Sequence, residues 1–246
     1  MALTNYLTQV GALLQTPPAP TTLYPTATLT TYINIARNQL AGESKCIEVM
    51  TNFNTTSGTQ AYSFSNLSVS SAAGINSIIS VEQLWIKNVG LSQWITPRSW
   101  EYFSLFSSLN NPTSQLGPPT NWAQYAKGIN GALYLDPTPD FVYTIQADCV
   151  GLPINLSTDN DPEAIPYPYT DCIPFLAVYW IFLSAQSAAR QDDANRMYQR
   201  YQEFLMRAGG MSTPSILPYQ YDANLVADQA ANKRLAFDAS AQQGKM

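Results

Sequence analysis

The segment from residue 171 to residue 210 reads DCIPFLAVYWIFLSAQSAARQDDANRMYQRYQEFLMRAGG and contains the two strongest helical patterns of the chain. Residues 171–189 are apolar on almost every side, which is typical of a helix buried at the centre of a fold. Residues 192–208 are amphipathic, and Gly209–Gly210 are expected to end that second helix. We therefore predict a central pair of helices, followed by a polar C-terminal arm.

Two more helices are predicted near the start of the chain. Residues 2–15 carry apolar side chains at helical spacing, and the Pro- and Thr-rich linker 16–25 that follows is expected to be extended. A second helix is expected at about residues 29–41, with Thr28 as its N-cap and Gly42 just beyond its C-terminus. Its apolar face is formed by Leu29, Ile33, Ala36 and Leu40.

Between residues 46 and 156 the apolar side chains alternate with a period of two, which indicates β-strands. The clearest strand is 141–149, and we expect it to pair with 132–135. The connecting turn 136–140 contains two prolines, which cannot continue a ladder, so we predict a hairpin loop there. One short helix beginning near Ser99 is expected to interrupt this region.

These patterns predict an α+β fold: an α-helical bundle with an inserted antiparallel β region and an extended C-terminal arm. The expected parts are an N-terminal helix and linker (1–25), a helical body (26–44 plus 165–210), a β-rich insertion (45–164) and the arm (211–246). At 246 residues the chain is long enough to bury a substantial core.

The distribution of charged and of apolar residues argues against two kinds of partner, nucleic acid and a membrane. Charged residues make up 12% of the chain, about half the usual share, and the net charge is −5 without any basic cluster. Binding to a phosphate backbone needs Lys and Arg, so we do not expect nucleic acid to be gripped. The longest apolar run, 172–183, is too short to span a bilayer, which takes roughly 20 residues.

The chain has no histidine, which removes the commonest general base and the usual nucleophile–histidine catalytic sites. It also lacks a GxxxxGK[ST] phosphate loop and a GxGxxG turn. Its N-terminus has no basic n-region, so we do not expect a signal peptide. Its three cysteines have no metal-ligand spacing, so we expect free thiols and neither a metal nor a cofactor.

Acidic residues leave two other chemistries open. Paired carboxylates can hydrolyse a glycosidic bond, and Asp136, Asp140 and Asp148 are the candidates. Residues 159–163 resemble a cation-binding loop in composition but lack the spacing of an EF-hand. We favour turn capping and a solvated loop as explanations of these two groups.

Aromatic residues are frequent in the β region, and a sugar-binding face would use such residues. We favour the alternative that they fill the core of the sheet, because aromatic side chains suit strands. The candidates are Trp85, Trp94, Trp100, Trp122, Tyr125 and Tyr134.

The predicted arm is more hydrophobic than a purely solvated tail needs to be. It contains the proline-bearing block 214–221, PSILPYQY, which suits extended docking in a groove, and the weakly amphipathic block 222–237. We therefore expect the arm to bind a partner. The candidate contact residues are Leu217, Pro218, Tyr219, Tyr221, Leu225 and Phe237.

Several segments in their joint order resemble the head-to-tail adaptor (connector, or head completion) proteins of short-tailed, podovirus-like bacteriophages. They are YINIARNQL (32–40), AYSFS (61–65), NWAQYAKGINGALYLDPTPDFVYTIQADCVGLP (121–153) and DPEAIPYPYTDCIPFLAVYWIFL (161–183). The resemblance covers roughly residues 25–210. It is carried by the order of these segments, above all by LYLDPTPD followed by a strand and the paired helices.

The resemblance implies a structural virion protein without catalytic residues. It implies a homo-oligomeric ring, usually of twelve copies, which joins the portal to a tail nozzle or tail fibre protein and lines the DNA exit channel. The arm would then reach the portal, and the candidate contact residues named above would form the portal interface. Double-stranded DNA would pass without specific binding. The protein would be assembled in the cytoplasm of the host bacterium and would end up at the head-tail interface of the virion.

Two other functions stay open on the residues alone. One is a carbohydrate-binding or fibre-anchoring virion module that uses the aromatic residues of the β region. The other is a carboxylate-based glycoside hydrolase that uses the acidic residues near the 136–140 turn.

Overall fold

The computed structural model describes residues 2–15, 23–67, 69, 73–88, 91–106, 116–184 and 188–212. The chain divides into two units, Met1–Leu205 and Met206–Met246. Within the second unit the described residues, 206–212, belong to the last helix.

The helices and strands follow the local sequence patterns in broad outline. The helices are α1 (Leu3–Leu14), α2 (Thr26–Ser44), α3 (Trp100–Phe106), α4 (Ile173–Ser184) and α5 (Ala188–Ser212). The strands are β1 (Glu48–Asn54), β2 (Ala61–Ser63), β3 (Ile75–Asn88), β4 (Leu91–Pro97), β5 (Asn121–Tyr125), β6 (Ala132–Asp136) and β7 (Thr144–Pro153).

Three helices pack together into a small layer. Helix α2 lies against α4, α1 contacts both, and α2 also touches β7. The apolar face predicted for α2 is buried, and α4 is buried on most of its circumference because other elements cover it from several sides. The side chains that α1 buries are Leu3, Tyr6 and Val10.

The strands form one seven-stranded sheet in the order β1-β7-β3-β4-β5-β6-β2. Neighbouring strands are antiparallel except β4 and β5, which run parallel through two residues of each strand. The sheet buries a core of aliphatic and aromatic side chains on one face. That core includes Phe53, Tyr62, Phe64, Leu84, Ile86, Ile95, Trp122, Leu133, Leu135, Ile145, Ala147 and Cys149.

The α+β class is confirmed, but two details of the predicted fold are wrong. The protein is not organised as an α-helical bundle, because the seven-stranded sheet is its largest layer. The β region is mixed rather than purely antiparallel, because β4 meets β5 in parallel. The predicted C-terminal arm lies outside the described residues, apart from its first two positions.

The predicted hairpin around residues 136–140 does not form. Strand β6 pairs with β5 and β2, whereas β7 pairs with β1 and β3, so three strands lie between them. The segment between β6 and β7 instead bonds to other loops: Gly58 N donates to Pro139 O at 2.8 Å and Gly117 N donates to Thr138 O at 3.0 Å. This segment therefore connects two strands that are not neighbours, and backbone N–H groups of other loops donate hydrogen bonds to its carbonyl oxygens.

Helix ends differ from the sequence expectations at several glycines. Gly42 lies inside α2, which continues to Ser44 and is closed by Lys45 in the left-handed conformation (φ 53°). Gly209 and Gly210 lie inside α5, which ends at Ser212. A glycine costs a helix about 1 kcal/mol relative to alanine, which is too little to force an end when neighbouring residues favour the helix.

Other expectations are met or shifted by a few residues. The short helix α3 starts after Ser99, whose Oγ accepts a bond from Tyr102 N at 3.3 Å. A 3₁₀ turn over Tyr169–Cys172 precedes α4, so that helix begins at Ile173 and not at residue 171. All three cysteines are free thiols. None of the helices in the described ranges is long and apolar enough to cross a membrane.

Gly74 lies just before β3, where the backbone comes close to the 159–163 loop. It has φ +78°, and a Cβ added there would lie 2.5 Å from the carbonyl oxygen of Pro162. Gly58 has φ +77°, but an added Cβ would meet nothing within 4 Å. Gly58→Ala should therefore lower the free energy of unfolding by about 1–2 kcal/mol, the cost of a left-handed residue with a side chain.

Gly74→Ala should lower the free energy of unfolding by at least about 1 kcal/mol more than Gly58→Ala does, because the backbone at Pro162 would also have to move. Urea unfolding of the two variants measures the difference. Equal losses of stability would show that the contact between Gly74 and Pro162 is not tight.

Candidate functional site

A buried ion pair lies where the helices meet the chain that leaves β7. Arg37 projects from α2 with its side chain fully enclosed, and the Glu163 side chain is 5% exposed. Arg37 Nη2 donates to Glu163 Oε1 at 2.7 Å, and Nε donates to Oε2 at 3.1 Å. This two-point geometry is the strong form of an arginine–carboxylate pair.

The remaining polar atoms around this pair are also bonded. Arg37 Nη1 donates to the Ile154 carbonyl at 2.6 Å and to Asn34 Oδ1 at 3.2 Å. The Tyr6 hydroxyl of α1 donates to Glu163 Oε2 at 2.8 Å. We call Tyr6, Asn34, Arg37 and Glu163 the Arg37 network; it joins α1, α2 and the segment after β7.

Asn34 extends the network along that segment. Its Nδ2 donates to the Leu156 carbonyl at 2.9 Å, and Leu156 N donates to its Oδ1 at 2.9 Å. The side chain thus replaces a backbone partner for the chain leaving β7. Burial, followed by the nearby Glu163 carboxylate, raises the pKa of Tyr6 well above its ordinary value, so Tyr6 stays a neutral donor.

Protein groups hold the 159–163 loop, which resembles a cation-binding loop in composition. The Asp159 carboxylate accepts bonds from the backbone N and the hydroxyl of Thr4, and so caps α1 from a distant part of the chain. Asp161 accepts from Ser157 N at 2.6 Å and Thr158 N at 2.7 Å, and these bonds hold its pKa at about 2. Within the described residues, no three His, Cys, Asp or Glu side chains are grouped so as to hold a metal ion.

The three candidate carboxylates of a hydrolase are not brought together. Asp136 lies on β6 and Asp148 on β7, with three strands between them. Asp140 accepts a bond from the Tyr143 hydroxyl at 2.7 Å. Burial first, and then Glu48 and Glu82, raise the pKa of Asp148, so its acidic neighbours are different residues from those predicted.

The six candidate aromatic residues fall into three separate groups. Trp122 is 4% exposed and belongs to the core of the sheet, as the packing explanation predicted. Trp85 and Trp94 form a cross-strand pair with ring centroids 5.5 Å apart, and Trp94 is 45% exposed. Trp100 packs against two further rings, those of Tyr125 and Tyr134.

An apolar cleft of about 400 Å³ opens between α1, α4 and α5. Phe175 of α4 and Phe204 of α5 stack in it with ring centroids 4.8 Å apart. Open apolar clefts of this kind are typical of places where another polypeptide binds. Its lining residues are Gln9, Ala12, Leu13, Asp171, Pro174, Phe175 and Phe204.

Sequence reasoning located some of these features and missed the most buried one. The predicted contact residues of the arm, from Leu217 to Phe237, lie outside the described residues. The Arg37 network was not predicted, although a signal existed: Arg37 falls on the same helical face as Ile33 and Leu40, where a charge needs a partner.

Removing one partner of the buried pair should destabilise the protein strongly. Arg37→Met leaves Glu163 buried without its cation, and we expect a loss of about 3–5 kcal/mol in the free energy of unfolding. The matched control is Arg200→Met, since Arg200 pairs with Glu203 at 2.9 Å but both side chains are about half exposed or more. That control should cost about 0.5 kcal/mol or less.

Chemical denaturation of both variants provides the measurement. A loss for Arg37→Met no larger than that for Arg200→Met would contradict the role given to the buried pair. The double variant Arg37→Met/Glu163→Gln should recover part of the loss, because no unpaired charge is left inside.

Comparison with known proteins agrees with the resemblance stated from the sequence. The family model described as SU10 adaptor protein matches residues 1–234, which is nearly the whole chain. No curated protein matches the sequence significantly. The family match confirms the resemblance to phage head-to-tail adaptors and favours a structural role over an enzymatic one. The chain belongs to the SU10 adaptor protein family and is a structural adaptor protein of a bacteriophage.

Proposed function

We propose that the protein forms a closed ring at the head-tail junction, where it joins the portal to the tail and surrounds the path of the DNA. The family match over residues 1–234 is the observation that carries this proposal. A ring needs two different complementary surfaces on each copy, because head-to-tail contacts close only when one patch meets another.

The helical part, residues 26–44 plus 165–210, is the proposed ring-forming body. Its helix α2 is fastened to the chain after β7 by the Arg37 network. The apolar cleft beside Phe175 and Phe204 supplies a surface that another chain can cover. Helix α1 contacts α2 and α4 of this helical part. The β-rich part, 45–164, is proposed to face outward or towards a tail nozzle or tail fibre protein.

The charge of the chain suits a channel for DNA. Each copy carries a net charge of −5, so a ring of twelve would carry roughly −60. An acidic wall repels the phosphate backbone, and double-stranded DNA would slide through without specific binding. Neither a cofactor nor a metal has a part in this mechanism, which is mechanical interlocking.

The arm, residues 211–246, is proposed to dock on the portal. Its neutral block 214–221 contains prolines and aromatic side chains, which suit extended binding in a groove. The proposed portal-interface residues are Leu217, Pro218, Tyr219, Tyr221, Leu225 and Phe237.

Truncation tests the docking role of the arm. Because α5 runs to Ser212, the cut is best placed after that residue, giving a chain of residues 1–212. We expect it to bind purified portal at least about tenfold more weakly than the full-length protein, since buried aromatic anchors dominate such interfaces. Biolayer interferometry on immobilised portal measures both affinities.

Point variants separate specific contacts from simple loss of chain. The triple variant Leu217→Ser/Tyr219→Ser/Tyr221→Ser should weaken binding as the truncation does, and Gln242→Ala/Gln243→Ala in the same arm should not. Equal portal affinity for the full-length and truncated proteins would contradict the docking role.

A further inference from the structure

Two neighbouring apolar side chains project from the crossover that precedes β7. Phe141 and Val142 are 69% and 68% exposed, although the sequence pattern predicts a strand over residues 141–149. Strand β7 begins only at Thr144, so the pair stands outside the sheet. Single exposed apolar residues are ordinary, but two large ones side by side are typical of a surface that another molecule covers. We call Phe141 and Val142 the crossover knob.

The backbone on both sides of the crossover knob is held by hydrogen bonds. Thr55, which is 2% exposed, donates from Oγ1 to the Phe141 carbonyl at 3.0 Å and accepts from Tyr143 N at 2.8 Å. Thr55 N donates to the Tyr143 carbonyl at 2.9 Å, and the Tyr143 hydroxyl donates to Asp140 Oδ1 at 2.7 Å. The knob is therefore ordered before it meets a partner, which lowers the entropic cost of binding.

The cleft between α1, α4 and α5 offers a surface that matches the crossover knob. Its volume of about 400 Å³ lies within the range of pockets that hold a small apolar ligand, about 300–1,000 Å³. The Phe175 and Phe204 rings, stacked with centroids 4.8 Å apart, can accept a third aromatic ring such as that of Phe141. Because the knob is exposed and the cleft is open in the same chain, the two do not cover each other within one copy.

The two surfaces also carry charges of opposite sign. Asp171 lies on the rim of the cleft, and its carboxylate makes no ion pair with another of the described residues. Lys87 is exposed on β3 just beyond the Ile86–Ile145 pair, at the end of the sheet where the knob lies, and it too has no ion pair in the described part of the chain. Opposite charges across an interface fix its register, and like charges oppose its formation.

We propose that the crossover knob of each copy docks in the cleft of the next copy, with Lys87 facing Asp171 of that neighbour. This inference rests on the proposed ring and names the two surfaces that join its copies. Knob and cleft lie on different elements, so a copy that fills its neighbour's cleft still offers its own cleft to a third copy, and such head-to-tail contacts continue until the ring closes. An apolar anchor is needed because copies with a net charge of −5 repel one another.

Removal of the crossover knob tests the docking. Phe141→Ser/Val142→Ser should lower the amount of ring formed on purified portal at least about tenfold, because buried aromatic anchors dominate such contacts. Its urea unfolding midpoint should match that of the unmodified protein, because both side chains are largely exposed in the free chain. The matched control is Met50→Ser/Tyr167→Ser, two side chains that are 61% and 72% exposed elsewhere, and it should assemble normally.

Charge reversal tests the orientation of the contact. Lys87→Glu and Asp171→Lys should each reduce ring formation by about threefold to tenfold, because each places like charges opposite one another. The combination Lys87→Glu/Asp171→Lys should assemble to within about threefold of the unmodified protein, because the pair is restored with its signs exchanged. The control Lys127→Glu/Asp171→Lys changes another exposed lysine and should not recover assembly.

A mixture of two cysteine variants locates the contact directly. Both carry Cys46→Ser, which removes the half-buried native thiol while the other two thiols stay buried. One variant carries Val142→Cys in the knob, and the other carries Gln9→Cys on the rim of the cleft. After assembly on portal, a short bismaleimide should join the two kinds of copy covalently, as denaturing electrophoresis shows. Met50→Cys in place of Val142→Cys should give no such product.

The outcomes distinguish the docking contact from the ring itself. Normal assembly of Phe141→Ser/Val142→Ser, or rings in which Val142→Cys and Gln9→Cys do not link, would overturn the docking and leave the ring intact. A double charge reversal that assembles no better than its single variants would overturn the pairing of Lys87 with Asp171. Absence of any ring from the unmodified protein with portal would overturn both the docking and the proposed function.

Discussion

The ion pair between Arg37 and Glu163 is the constraint on which the position of the helices depends. A guanidinium with no exposure to water is tolerated only when its charge is paired and its remaining protons are bonded. Both conditions require the chain after β7 to return over α2, because that chain supplies Glu163 and the Ile154 carbonyl. Once this segment is fixed, the 3₁₀ turn at Tyr169–Cys172 and the start of α4 follow within a few residues.

The same pair connects the helical layer to the sheet. Segment 154–163 continues directly from β7, the second strand of the sheet, so a bond to Arg37 fixes α2 relative to β7. Tyr6 adds α1 to the arrangement through Glu163. A satisfied buried polar network is one way to specify a single arrangement of layers.

The parts of the fold that local sequence determines were predicted, and the parts that depend on distant partners were not. Apolar spacing located α1, α2 and α4 because a helix records its buried face every three to four residues. Alternation located most strands, yet it cannot say which strand lies beside which, so β6 and β7 were wrongly joined as a hairpin. The parallel contact of β4 with β5 depends on a pairing that no local pattern records.

The site shows the same division. The free cysteines and the core position of Trp122 follow from composition and strand preference. The bond between Thr4 and Asp159 joins residues 155 positions apart, so only the folded chain could reveal it. Arg37 was recognisable as a charge on an apolar face, but its partner was not.

Electron microscopy of the full-length protein mixed with purified portal tests the central claim most directly. We expect end-on views of a closed ring stacked coaxially on the portal, with one adaptor for each portal subunit and an open central channel. Isolated adaptor monomers beside bare portals, or copies scattered without rotational order, would contradict a ring-forming adaptor.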